Sequence, residues 1–211
     1  MEYWQKNAWE LALAGGPFML PIILCSLCSW AIIIEKFLYL GSLKTHPKEF
    51  LEKVLILVKD NKITDAISFC EEHGSPTAEI LKSGLLKFGS PQEDIRDALE
   101  RASRYEIPLM EKRLAALLTI ANITPLIGFL GTATGLAVGF HTIQIRAVSL
   151  HPVLPGDLAA GIWQALIATI ASLAVAIPAY IFYNYFVHRI RVFTRDIEQS
   201  ANDLADYLSQ M

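Results

Sequence analysis

Side chains that bind and release protons are missing from two stretches of this chain where they would matter most. Residues 114–145 and 158–187 are runs of 32 and 30 residues without Asp, Glu, Lys or Arg, and His141 stands near the far end of the first. Carrying a proton partway across an apolar barrier needs an ionisable group, and such groups inside a membrane usually mark function. Among the polar side chains that interrupt the runs, Thr132, Thr134, Gln164, Thr169 and Ser172 stand out. Hydroxyls and amides can line a polar path by hydrogen bonding, but they do not titrate near neutral pH. Either the chain moves no protons, or the carboxylate comes from a partner helix.

The neighbours of these polar residues are small. Gly131, Gly135 and Gly139 repeat at four-residue spacing, with Gly128 one turn earlier, a pattern that lets helix backbones approach when lipid supplies no hydrophobic drive. Ala165, Ala168, Thr169, Ser172 and Ala176 share one face at i, i+3, i+4 spacing. Close packing accounts for most of these glycines. Pro178 has no N–H for the carbonyl of Ala174, which predicts a kink or a substitute donor. A membrane-spanning threonine commonly bonds its own i−4 carbonyl, and a buried amide such as Gln164 commonly bonds a neighbouring helix, so neither defines a path alone.

The elements that hold these residues follow from composition. The chain has 211 residues, 53% hydrophobic and 18% charged, with positive mean hydropathy. A third uncharged run of 24 residues lies between Glu10 and Glu35. Each run exceeds the roughly 20 residues a helix needs to cross about 30 Å of hydrocarbon. The first is expected to be a retained anchor, because Glu2 and Glu10 outweigh Lys6 and the run is too long for a signal-peptide core. A net charge of −3 gives no footprint for nucleic acid. Cys25, Cys28 and Cys70 read as small packing residues. There is no HExxH, GxSxG or paired intramembrane carboxylate, and His46, His73, His141, His151 and His188 are scattered. No catalytic residue, metal or cofactor is therefore expected.

Lysines and arginines flanking the runs set orientation. Lys36, Lys44, Lys48, Lys112, Arg113, Arg189, Arg191 and Arg195 crowd one side, against Lys6 and Arg146 on the other. The expected order is a periplasmic segment 1–10, span one at 11–40 and a cytoplasmic helical region 41–113. Span two at 114–145, a periplasmic loop 146–157, span three at 158–187 and a cytoplasmic tail 188–211 follow. The fold class is all-α, with spans two and three extended into a cytoplasmic helical bundle. In region 41–113, Phe50, Leu51, Val54, Leu55 and Val58 form one apolar stripe, and Ile63, Ala66, Ile67 and Cys70 another that ends at Gly74. Ser75-Pro76 opens a third helix. Ser90-Pro91-Gln92-Glu93 reads as an N-cap, a proline at the first helical position and a capping-box glutamate. The helix it launches is expected to run directly into span two, with Pro108 as a bend.

The stretches TPLIGFLGTATGLAVGF and GIWQALIATIASLAVAIPAYIFYN resemble the ExbB/TolQ/MotA family of proton-channel proteins. They are similar to that family's P-L-x-G-L-x-G-T-V-x-G-M and E/Q-A-L-x-x-T-x-x-G-L-x-x-A-I-P-x-x-x-x-Y-N patterns, and Glu35-Lys36 is similar to its Glu-Arg pair at the end of span one. The resemblance implies a homopentamer in the bacterial inner membrane, embedded in lipid, whose second and third helices surround a pore. It implies an ExbD- or TolR-like single-span partner with an aspartate in its membrane helix, and a TonB- or TolA-like protein that receives the force. It also implies that Thr132 and Thr169 face that aspartate, and that Gln164 lines the path where many members have glutamate. Ser172 stands where the family pattern has glycine, a small-for-small change. SWAIII in span one leans toward a TolQ-like role in envelope maintenance and GGPFMLPI toward an ExbB-like role in nutrient uptake. A passive scaffold is the alternative from a different class.

Overall fold

Apolar runs longer than a bilayer is thick have one stable form in lipid, a helix that satisfies its own backbone groups. All regular structure among the described residues is helical. The computed structural model describes residues 15–42, 47–149, 152 and 155–208. Segment 1–10, the first residues of span one, part of the 146–157 loop, and His46 and His151 lie outside the described residues. Helix α1 runs Met19–Ser42, α2 Pro47–Lys59, α3 Ile63–His73, α4 Pro76–Leu85, α5 Gln92–Glu111, α6 Leu114–Val148 and α7 Pro155–Leu208. Three stretches are long and apolar enough to cross a membrane: Met19–Gly41, Gln92–Val148 and Ala159–Leu208. The chain divides into two units, Met1–Glu35 with Ala115–Asn184, and Lys36–Leu114 with Tyr185–Met211.

In the first unit the buried positions are mostly small: Ala121 and Thr124 on α6, and Ala165, Ala168, Ser172, Ala176 and Ala179 on α7. On α1, Ile22, Ser29 and Ile33 are among the buried positions. Large apolar side chains point outward instead, with Phe129 72% and Leu126 65% exposed. A water-soluble domain would not leave so broad an apolar surface bare, whereas lipid or another membrane helix covers it without penalty.

The second unit has an ordinary core. Phe50, Leu51, Val54 and Val58 are buried on α2, Ala66 and Cys70 on α3, Ile80, Leu81 and Leu85 on α4, and Ile95 and Leu99 on α5. The carboxy-terminal part of α7 adds Ile190, Ile197 and Leu204. Helix ends follow local chemistry. Gly74 caps α3 in the left-handed conformation, and the Ser75 hydroxyl accepts the Ala78 N–H at 3.2 Å with Pro76 at the start of α4. Lys82 lies 3.0 Å from Glu71 and 4.0 Å from Glu79. Burial, followed by nearby Glu79, pushes the Cys70 thiol up to about 12, so it packs as a small apolar group and supplies no thiolate at neutral pH.

Two expectations are corrected. The helix that begins at Gln92 does not continue into span two: α5 stops at Glu111, Lys112 turns extended with ψ 135 and Arg113 takes a left-handed φ of 71. Pro108 lies within α5 and does not end it. A helix running through the joint would use the Met110 carbonyl for the N–H of Leu114. Here that carbonyl accepts the Lys36 ammonium at 2.9 Å, a side chain only 4% exposed. A cation at a helix C-terminus is favourable. The second correction is at the start of α5, where Ser90 does not cap. Pro91 is itself the flanking residue, extended at ψ 148, and its carbonyl accepts the first helical N–H groups from Asp94 and Ile95.

Candidate functional site

The site lies in the first unit, where α6 and α7 approach at backbone distance. A Cβ built on Gly135 would come within 2.8 Å of the Ala165 Cβ and 2.9 Å of the Gly161 carbonyl oxygen. One on Gly161 would meet the Gly135 oxygen at 2.8 Å and the Gly139 Cα at 3.2 Å. A Cβ on Gly131 would meet the Ala168 Cβ at 3.2 Å, and one on Gly128 would run into the Ser172 side chain, with the Thr169 Cα at 3.2 Å. Helices this close gain dispersion contacts along their whole seam, which replaces the missing hydrophobic drive. Pro178 falls further along α7, inside the continuous helix.

Polar groups are threaded through this seam. The Thr169 hydroxyl donates across it to the Gly128 carbonyl at 3.1 Å, with the Ala165 carbonyl of its own helix at 3.3 Å. Ser172 donates to the Thr169 carbonyl at 2.8 Å. Thr132 donates to the Phe129 carbonyl at 2.6 Å and Thr134 to the Leu130 carbonyl at 2.9 Å, both within α6. Gln164 is exposed, and its amide lies against Gly16, whose φ of +71 and lack of a Cβ leave room for it. A cavity of about 170 Å³ beside it is lined by Gly15, Phe18, Thr134, Gly135, Gly161 and Gln164.

The residues singled out in the sequence therefore do not converge on one point. Thr169 is at the seam, level with Gly128. Thr132 is one turn along α6, and Gln164 shares its cavity with Thr134. Sequence reasoning passed over Asn122, whose carboxamide oxygen accepts the Tyr180 hydroxyl across the same two helices. The signal was present, since an amide inside an uncharged run is as costly to leave unpaired as Gln164.

Chemically, the seam's polar side chains are hydroxyls, amides and the Tyr180 phenol at several depths, and residues 114–145 and 158–187 hold no Asp, Glu, Lys or Arg. They can hold water or a neutral acid by hydrogen bonds, but they cannot themselves be the charged carrier.

A model of the MotA/TolQ/ExbB proton channel family matches residues 72–199, more than half of the chain. A protein named ExbB-like 3 from Synechocystis is 29% identical over 174 residues, covering 82% of each chain. TolQ of the Tol-Pal system from Haemophilus influenzae is 28% identical, covering 83% of this chain and 80% of the relative. The biopolymer transport protein ExbB of Salmonella typhimurium is 30% identical, covering 82% and 72% respectively.

Proposed function

Because this chain belongs to the MotA/TolQ/ExbB proton channel family, we propose that it is the pore-forming scaffold subunit of a motor in the bacterial inner membrane driven by the proton-motive force. The reading is ExbB-like. A homopentamer of this chain surrounds an ExbD-like single-span partner, and proton flow energises TonB-dependent transport across the outer membrane. The observation that carries it is the pairing of a tight glycine–alanine seam with threonine hydroxyls and no acid of its own: the seam seals the wall, and the titrating carboxylate is left to the partner.

In this arrangement the segment before α1 and the 146–157 loop are periplasmic, and region 41–113 and the tail are cytoplasmic, as the excess of Lys and Arg on that side requires. Thr132, Thr169 and Gln164 line the path. Gly128, Gly131, Gly135, Gly139 and Ser172 hold the helices at the necessary distance. Each proton crossing 100 mV releases about 2.3 kcal/mol. Alternate protonation of the partner's aspartates against identical walls turns that energy into rotation of one part against the other.

The similarity to TolQ favours a second reading, envelope maintenance with TolR- and TolA-like partners. Co-purification in mild detergent followed by intact-complex mass measurement separates the two by the identity of the partner, and gives the stoichiometry. A complex with no second polypeptide bearing an acidic membrane residue supports a passive scaffold instead. Replacing Thr132→Val and Thr169→Val together keeps volume and removes both hydroxyls. Proton-dependent uptake is expected to fall sharply with assembly retained, and undiminished uptake defeats the lining role.

A further inference from the structure

Asn122 and Tyr180 form a polar pair that the pathway described so far leaves unused. Tyr180 is eleven residues beyond Thr169, about three helical turns, so both lie on one face of α7 roughly 16 Å apart along the axis. The middles of the uncharged runs fall near residues 129–130 and 172–173. By that measure Gly128 and Thr169 are close to mid-depth, Gln164 is toward the end of the span nearer Asp157, and Asn122 and Tyr180 are toward the end nearer Arg113 and His188. Polar groups thus recur along α6 and α7 at three depths.

The hydrogen bonding at the third depth is incomplete. The Tyr180 hydroxyl donates to the Asn122 carboxamide oxygen. That leaves both amide N–H donors of Asn122 without a partner among the described residues, on an exposed side chain. Free amide donors in hydrocarbon are costly. Thr119, one turn before Asn122 on the same face, is also exposed, with its hydrogen committed to the Ala115 carbonyl. Asn184, one turn beyond Tyr180, is exposed as well. A tyrosine serving only as a membrane-interface anchor would direct its hydroxyl to headgroups. Here the hydroxyl turns onto the neighbouring helix and occupies the Asn122 oxygen, leaving the amide hydrogens for another acceptor.

We infer that Asn122 and Tyr180 form a hydrated station at the inner end of the proton path. The Asn122 N–H groups and the Tyr180 oxygen hold the waters through which a proton released at mid-depth reaches the cytoplasm. The inference rests on the proposed function and adds two positioning residues to it.

The test uses the complete complex with its partner, with Cys25, Cys28 and Cys70 replaced by alanine. Asn122→Cys, Ile123→Cys and Thr169→Cys are each exposed to a membrane-impermeant methanethiosulfonate from the cytoplasmic side of inverted vesicles. Asn122→Cys is expected to label several-fold faster than Ile123→Cys, its neighbour at the same depth. Tyr180→Phe is expected to lower proton-driven activity about three- to tenfold, with normal yield and melting temperature and an altered solvent deuterium isotope effect. If Thr169→Cys labels and Asn122→Cys does not, the station is refuted while the pathway stands. If neither labels, the pathway reading falls and the station with it. Full activity in Tyr180→Phe, or a loss that only tracks a lower melting temperature, reduces the pair to a structural staple and overturns the inference.

Discussion

The second unit buries Phe50, Leu81, Ile95 and Ile197, whereas the first buries Ala121, Ala168, Ser172 and Ala179 and turns Phe129 and Leu126 outward. The inversion follows from what surrounds each unit. Water drives large apolar side chains together, each worth about 1.5–3 kcal/mol when fully buried. Lipid is as apolar as leucine and drives nothing, so helices there gain most by closing the distance between backbones. One unit is therefore stabilised by what its side chains add, the other by what they leave out.

Opposite substitutions break this contrast. The largest effect is expected from Phe50→Ala, which removes a ring stacked 5.1 Å from Phe69. A loss of about 3–5 kcal/mol should appear as a large drop in the melting temperature of the detergent-solubilised protein. Next comes Gly135→Val, an addition. Its new Cβ meets the Ala165 Cβ and the Gly161 backbone oxygen, neither of which can swing aside, and overpacking of this kind costs about 1–3 kcal/mol. Recovery of intact complex is the measure, and a valine tolerated there would mean that α6 and α7 are not packed at backbone distance.

The smallest effect sharpens the picture of the second unit. Burial first, and the neighbouring charge of Glu79 second, hold the Glu106 carboxyl above its ordinary value of 4.5. A raised carboxyl favours the fold while protonated, and that contribution is lost as pH climbs through the folded pKa. Glu106→Gln should therefore melt slightly higher than the unsubstituted protein at neutral pH, with the gap closing below pH 4.5.

Much of the fold was legible because it rests on local signals. Run length marked three membrane-crossing segments, period 3.6 marked the buried stripes at Phe50–Val58 and Ala66–Cys70, and Gly74-Ser75-Pro76 marked a helix end and a helix start. The break at Lys112–Arg113 was not legible, since neither residue is a helix breaker and Lys36, which takes the freed Met110 carbonyl, is far away in sequence. Pro108, the obvious signal, lies inside a helix that holds. At the site, glycine spacing pointed to a close seam. Which threonine turns where depends on helix rotation, and Thr132 and Thr134 are about 200° apart on α6. Asn122 and Tyr180 sit 58 residues apart, and nothing local in the sequence pairs them.

The hydrogens of Thr132 and Thr169 are already committed to backbone carbonyls, so what these side chains turn toward a guest is lone pairs alone. A carboxylic acid has a hydrogen to offer such a surface, and a carboxylate has none. Under the proposed function, a wall that only accepts hydrogens favours the neutral form of a partner's aspartate over the ionised one, which puts the directional check in the housing.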